Sequence, residues 1–249
     1  MSGIEIPRTL ATLWGRDTAG RRGPRPALTL DRIAAAAVAV ADADGLAAVS
    51  MKRVAEAVGV STMALYRYVD SKEDLATVML EQVIGAPPDV SSRDWRDALA
   101  EWCRAYRAVL LAHPWVLQLP LSGPPLTPQQ LGWMEAALQA TRATGLTGQE
   151  RLQVLLQVNV FVRGDAALGV ALASAAAERA DAGSSMSATW AGLVTELADE
   201  ATFPALRELV ADDEFAEDDD PVEQFEFGLQ RMLDGVALLV DARTGSDGG

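Results

Sequence analysis

Apolar residues recur at spacings of three and four along most of the chain, and polar residues fill the gaps between them. That is the pattern of helices that each bury one face. From Thr29 the set Leu30, Ile33, Ala37 and Val40 forms the first stripe, and Gly45 ends it. Ser50 is placed to cap a short helix over residues 51–58, with Met51, Val54, Ala55 and Val58 on one face. Ser61 caps a third helix over residues 62–68. Ser71 opens S-K-E-D, an N-cap with an acid three residues later, and starts a fourth helix bearing Leu75, Val78, Met79 and Val83. Pro87 and Pro88 close this unit.

Further helices are predicted over residues 94–112, 129–144, 149–180, 187–199, 204–211 and 222–241. In the last, Phe225, Leu229, Met232, Leu233, Val236 and Val240 form one stripe. No window alternates with period two, so the predicted fold class is all-α. A proline-rich connection covers residues 120–128, and an acidic loop covers residues 212–220. Residues 1–28 lack periodicity and hold arginines at 8, 16, 21, 22 and 25, which predicts a flexible basic arm. The division expected is an arm (1–28), a small helical domain (29–85), a larger helical domain (86–243) and a disordered tail (244–249).

Residues 50–68 read S-M-K-R-V-A-E-A-V-G-V-S-T-M-A-L-Y-R-Y. Two short helices joined at Gly59 make a helix-turn-helix. Ala55 is small enough for close helix approach, and Gly59 permits the positive φ of a tight corner. Val60 and Leu65 can plug the angle between the helices. The second helix starts with Ser61, Thr62, Met63 and Ala64, small or flexible side chains where a major-groove reader touches base edges. Tyr66, Arg67, Tyr68 and Lys72 follow, with donors suited to phosphate oxygens.

Charge changes this picture only after its distribution is considered. The net charge of −14 is unlike that of a nucleic-acid binder. In residues 1–83, however, Lys+Arg and Asp+Glu balance at ten each, so the acidic excess lies wholly in the remainder. Such asymmetry predicts two domains with different partners. Among 21 basic residues only Lys52 and Lys72 are lysines, and both fall in the neutral third.

The chain has one His and one Cys, which excludes a Cys/His zinc site and an internal disulfide within one chain. No nucleotide loop, Cys/His cluster or pair of acids at helical spacing in an apolar context is present, so no cofactor and no enzymatic activity are expected. The longest apolar runs, residues 33–41 and 166–177, fall short of the roughly 20 residues that span a bilayer. No signal peptide opens the sequence. A cytoplasmic protein without membrane contact is expected.

The stretch V-G-V-S-T-M-A-L-Y-R-Y-V-D-S-K-E-D-L resembles the N-terminal domain of TetR-type transcriptional regulators. More loosely, L-L-A-H-P, the long helix around residues 161–169 and F-E-F-G-L-Q-R-M-L-D-G resemble the C-terminal domain of the tetracycline repressor subgroup. The resemblance implies a homodimer that binds palindromic operator DNA and releases it when a small-molecule inducer occupies the C-terminal domain. Carried over by position, it implies base reading by Lys52, Thr62, Met63 and Arg67. It implies phosphate contacts from Tyr66, Lys72 and the backbone of Met51, with Tyr68 serving either purpose. The tetracycline repressor holds a drug-bound magnesium with a His after its fifth or sixth helix. Residues 118–125 contain no His, which argues against tetracycline–magnesium as inducer.

Candidates for a ligand pocket are Trp102, Tyr106, His113, Trp115, Trp133, Asn159, Phe161 and Arg163. The aromatics are core residues from which a pocket can be cut. Asn159 and Arg163 lie one turn apart in an otherwise apolar helix, as pocket groups or as dimer-interface groups. His113 precedes Pro114 and reads first as a helix-end residue near exposed carbonyls, and only second as a pocket group. A second function stays open on composition alone, an all-helical enzyme or lipid carrier that does not bind DNA.

Overall fold

A computed structural model of the chain describes residues 5–16, 28–91, 93–120, 123–178, 186–211 and 220–246. The expected acidic loop lies outside these residues apart from Asp220, as do residues 17–27 of the arm and 247–249 of the tail. The described residues form eleven α-helices and no strand. They are α1 (Arg8–Leu13), α2 (Leu30–Asp44), α3 (Met51–Val58), α4 (Thr62–Leu65), α5 (Lys72–Ile84), α6 (Trp95–Ala112), α7 (Pro128–Ala140), α8 (Gly148–Glu178), α9 (Met186–Leu197), α10 (Pro204–Ala211) and α11 (Pro221–Ser246). The chain divides into two compact units, residues 165–235 and the remainder.

In the larger unit α2 packs against α3 and α5, and α3 against α4. Its core is the predicted one, with Ile33, Ala37, Val54, Ala55, Leu65, Leu75, Val78 and Met79 buried. Each large aliphatic side chain here contributes about 1.5–3 kcal/mol by leaving water. Local signals set the helix starts. Thr29 accepts from the Arg32 amide, Ser50 from Arg53, Ser61 from Ala64 and Ser71 from Asp74. Asp94 starts α6 by accepting from the amides of Asp97 and Arg96, bonds that hold its carboxyl below the usual carboxylate range. Beyond α5, α6 packs on α7, and the buried set includes Leu99, Trp102, Cys103, Leu110, Trp115 and Trp133.

Residues 165–235 hold the second half of α8, α9, α10 and the first half of α11. Within them α9 packs on α10, and Arg207 donates to the Thr195 carbonyl at 2.7 Å. Arg231 pairs with Asp234 at 2.9 Å and lies over the Phe227 ring.

Several expectations change. The arm is not without structure throughout, because residues 8–13 form α1 and Thr9 is buried. Six residues are too few to display a helical period, and so short a helix depends on tertiary contact. The predicted helix 62–68 is regular only to Leu65. Beyond Tyr66 the amides of Arg67 and Tyr68 bond three residues back, to Ala64 and Leu65, which tightens the turn toward Ser71. The helix predicted over 129–144 stops at Ala140. The last helix runs to Ser246, three residues into the expected tail. Of its stripe, Phe225, Leu229, Leu233 and Val240 are buried in the single chain, while Met232 and Val236 are half-buried.

Candidate functional site

The corner between α3 and α4 is fixed by one glycine. Gly59 sits at φ 74° and ψ 33°, left-handed helical space that a side chain strains. The Val60 amide bonds the Ala55 carbonyl at 2.9 Å, and the Gly59 amide bonds Glu56 at 3.2 Å. This pair of bonds ends α3 in a Schellman turn. It aims α4 away from α3, with Leu65 buried beneath it and its opposite face open.

That face carries most of the residues predicted to read DNA. Met63 is 77% exposed, although it is apolar, and Tyr66 is 44% exposed. Lys52, Ser61, Arg67 and Lys72 are exposed, while Met51, Thr62 and Tyr68 are half-buried. Ser61 Oγ already accepts from the Ala64 amide, which leaves its O–H as a donor. Lys52 lies 3.9 Å from Glu56, a loose surface pair. Arg67 and Lys72 form no ion pair among the described residues. An exposed thioether suits a thymine methyl, and unpaired cations suit phosphate.

The ligand candidates separate into two groups. Trp102, Tyr106 and Trp133 form a triangle with ring centroids 5.3, 5.5 and 5.7 Å apart. The Trp102 indole N–H donates to the Trp133 carbonyl at 2.9 Å, and Arg163 donates to the Tyr106 hydroxyl at 3.2 Å. The Trp133 indole N–H donates in turn to the carbonyls of Ile84 (3.1 Å) and Gly85 (3.0 Å), at the C-terminal end of α5. Asn159 and Phe161 are half-buried on α8 beside Arg163 in sequence.

His113 and Trp115 belong to the second group. Trp115 is buried, and its indole N–H donates to Asp42 Oδ1 at 2.7 Å. His113 Nδ1 lies 2.8 Å from the same oxygen. His113 does end α6, as expected, but its ring turns to this carboxylate on α2 rather than to helix carbonyls. These two residues tie α2 to the segment after α6.

Sequence reasoning missed Asp42, and it missed Glu81, whose carboxylate accepts from the Gln129 amide at 2.9 Å and so caps α7 from α5. Nothing local marks either residue. It also missed the reciprocal cap at the start of α8, which was legible as T-G-Q-E. There Glu150 accepts from the Thr147 amide at 2.8 Å, and Thr147 Oγ1 accepts from the Glu150 amide. No cluster of metal-ligating side chains occurs among the described residues.

A one-turn helix set by a Schellman corner, with an open face and unpaired cations, is a helix-turn-helix DNA reader joined to a helical body. Comparison with known proteins gives the family. Residues 27–79 match the model of bacterial regulatory proteins of the tetR family, and residues 87–240 match the tetracyclin repressor-like C-terminal domain. The chain belongs to the TetR family of transcriptional regulators, which are not enzymes. It is 39% identical over 247 residues to the HTH-type transcriptional repressor DrrR1 of Streptomyces coeruleorubidus, covering 97% of this chain and 89% of that protein. It is 30% identical to an HTH-type transcriptional regulator of Saccharopolyspora erythraea over 86% of each chain. The structure of ActR from Streptomyces coelicolor in complex with (S)-DNPA aligns with a TM-score of 0.69 at 25% identity, over 85% of this chain and 98% of ActR.

Family membership sets aside the reading as an enzyme or lipid carrier. It also decides the place of α8, which over Gly148–Ala177 is long and apolar enough to cross a bilayer by length and composition. The apolar runs in the sequence did not suggest this, because polar residues such as Gln153, Gln157 and Asn159 interrupt them. The C-terminal family match runs through α8 and assigns it to the helical body.

Proposed function

We propose that the protein is a dimeric repressor that leaves a palindromic operator when an aromatic, mostly apolar molecule binds beside Trp102, Tyr106 and Trp133. The observation that carries this reading is the construction of α5. Its first residue is Lys72, exposed next to the reading helix, and its last carbonyls are held by Trp133 of the aromatic triangle. One helix therefore carries both the DNA-facing cation and the contact with the candidate pocket. Arg163 and Asn159 supply polar groups that orient the ligand, and Arg163 can hold one carboxylate. Residues 29–85 act as the head and residues 86–243 as the body. DrrR1 is a repressor and ActR is known in complex with a small molecule, which supports the same assignment here.

Two heads about 34–36 Å apart are needed to read two half-sites of a palindrome. Within the larger unit, Leu156 and Val160 on α8 and Leu238 on α11 are exposed in the single chain. A two-fold pairing of these helices removes that apolar surface from water. Leu233 is buried within its own chain, so it is Val160 and Leu238 that test the interface.

The ligand must favour the DNA-incompetent shape, and linkage then requires operator to weaken ligand binding by the same factor. Aromatic compounds that raise the melting temperature are titrated calorimetrically with and without operator. Weaker binding to the operator complex is expected. Equal affinities for every stabilising compound would overturn the switch.

A further inference from the structure

We infer that α1 is a clamp on the reading head and that Arg8 is a positioning residue for the segment that grips DNA. This rests on the DNA-reading role proposed for α4. The reading helix has only four regular residues, Thr62–Leu65, too few to hold itself by its own hydrogen bonds. It is kept in place by the Ser61 cap, by Leu65 and Val69 beneath it, and by what meets its C-terminal end.

What meets that end is Arg8. One guanidinium nitrogen of Arg8 donates to the Tyr66 carbonyl at 3.2 Å and to Asp70 Oδ1 at 2.5 Å. The Tyr66 carbonyl is among those left without a partner where the helix ends, and a cation is favoured there. The Asp70 amide bonds Asp74 Oδ2 at 3.2 Å, and the Asp74 amide bonds the Ser71 cap at 3.0 Å. Arg8 thus closes a chain of bonds across residues 66–74. Tyr66 and Lys72, the two side chains expected on phosphate, lie within that chain.

The far end of α1 is tied down as well. α1 packs on α5, Thr9 is buried, and the Trp14 indole N–H donates to the Leu126 carbonyl at 2.9 Å, two residues before α7. The clamp is anchored outside the reading head, so it can hold residues 66–70 against a fixed point.

Arg8 and Asp70 are both about half exposed, so their pair alone is worth at most about fivefold, and together with the bond to the Tyr66 carbonyl the effect expected is about three- to tenfold in operator affinity. Removing Arg8 also leaves Asp70 uncompensated near phosphate. The test is therefore the charge-neutral pair Arg8→Ala with Asp70→Asn, compared with Arg8→Lys and wild type. The probes are an operator duplex selected by the wild-type protein from a random pool and a scrambled duplex of the same length. The expected result is a three- to tenfold loss on the operator, unchanged binding to the scrambled duplex and an unchanged salt slope. Faster amide exchange at Arg67 and Tyr68, and partial recovery in Arg8→Lys, should accompany it.

Wild-type operator affinity in the neutral pair would overturn the inference, because Arg8 would then only mask Asp70. A salt slope lower by about one, with both duplexes weakened alike, would also overturn it, because Arg8 would then touch phosphate directly. A wild-type protein that selects no duplex sinks the DNA-binding reading itself.

Discussion

Replacing Asp42 with Ala removes the one carboxylate that both Trp115 and His113 address, and its cost can be worked from the structure. Trp115 is buried, so its indole N–H loses its acceptor in a place where water does not replace it. A buried donor left in this way costs about 1–3 kcal/mol. The Asp42 side chain is 36% exposed, which weakens the charge-assisted part of the bond and places the expectation near 1–2 kcal/mol. Trp115→Phe removes the donor while it keeps most of the ring packing. In that background Asp42→Ala forfeits only the contact with His113, and its cost should fall by about 1 kcal/mol. Asp42→Asn keeps an oxygen acceptor and should cost less than Ala if the hydrogen bond matters more than the charge. Urea unfolding of the four proteins, with m-values equal, gives the coupling. If Asp42→Ala costs the same with and without the Trp115 indole, to within about 0.3–0.5 kcal/mol, the bond is not the tie between α2 and the segment after α6.

Other outcomes follow from single residues. Lys72→Ala should weaken operator and non-specific duplex alike and lower the salt slope by about one, measured by anisotropy across a salt series. Gly59→Ala meets no neighbour within 4 Å, so its cost is backbone strain alone, about 1 kcal/mol in urea unfolding. Glu150 is held down to about 2 by the Arg243 guanidinium and by the Thr147 amide and hydroxyl. Its stabilisation is therefore complete above its ordinary value of 4.5 and lost as pH falls toward about 2. Glu150→Gln should flatten the acid limb of the stability curve in that window and leave the region above pH 5 parallel to wild type. Leu238→Asp should give folded monomers by light scattering that bind operator poorly, and a dimer that survives both this change and Val160→Asp would exclude the α8–α11 interface.

What could be foreseen from the sequence was what is local. The caps at Ser50, Ser61 and Ser71 and the corner at Gly59 are each decided within about four residues, and all four stand in the structure. The contacts that join the parts are not of that kind. Asp42 meets Trp115 across 73 positions, Glu81 meets Gln129 across 48, Arg8 meets Asp70 across 62 and Trp14 meets Leu126 across 112. A surface Asp or Arg looks the same in sequence whether or not a partner arrives from elsewhere. The stripe on α11 shows a related limit. Its period marked a buried face correctly, yet the period does not say which body buries it, and Leu233 proved to serve its own chain. The ligand candidates show the same limit, because aromatic residues on α6, α7 and the intervening segment read alike in sequence. Their partners in space separate them: Trp115 bonds Asp42 on α2, whereas Trp102 and Trp133 pack with Tyr106 in the triangle.

The consequence for the switch lies in how α5 is held. It has 13 residues and so spans about 20 Å. Its C-terminal end is fixed twice to α7, through Glu81 to the Gln129 amide and through the Ile84 and Gly85 carbonyls to Trp133. Its N-terminal end is fixed to the reading segment through the Ser71 cap and through Asp74 to the Asp70 amide. With both ends bonded, α5 is expected, in the switch proposed above, to answer a push at Trp133 by tilting as a rod rather than by fraying. A tilt of about 5° over about 20 Å would carry Lys72 about 1.7 Å, well beyond the window of about 0.5 Å in donor–acceptor distance over which such a hydrogen bond holds. On that proposal, a ligand that displaces Trp133 slightly would need no unfolding to break phosphate contacts. In the proposed dimer, the same displacement in both subunits would make the error in half-site spacing add. The bonds at the two ends of α5 are thus expected to be as much a part of the proposed switch as the residues that touch ligand or DNA.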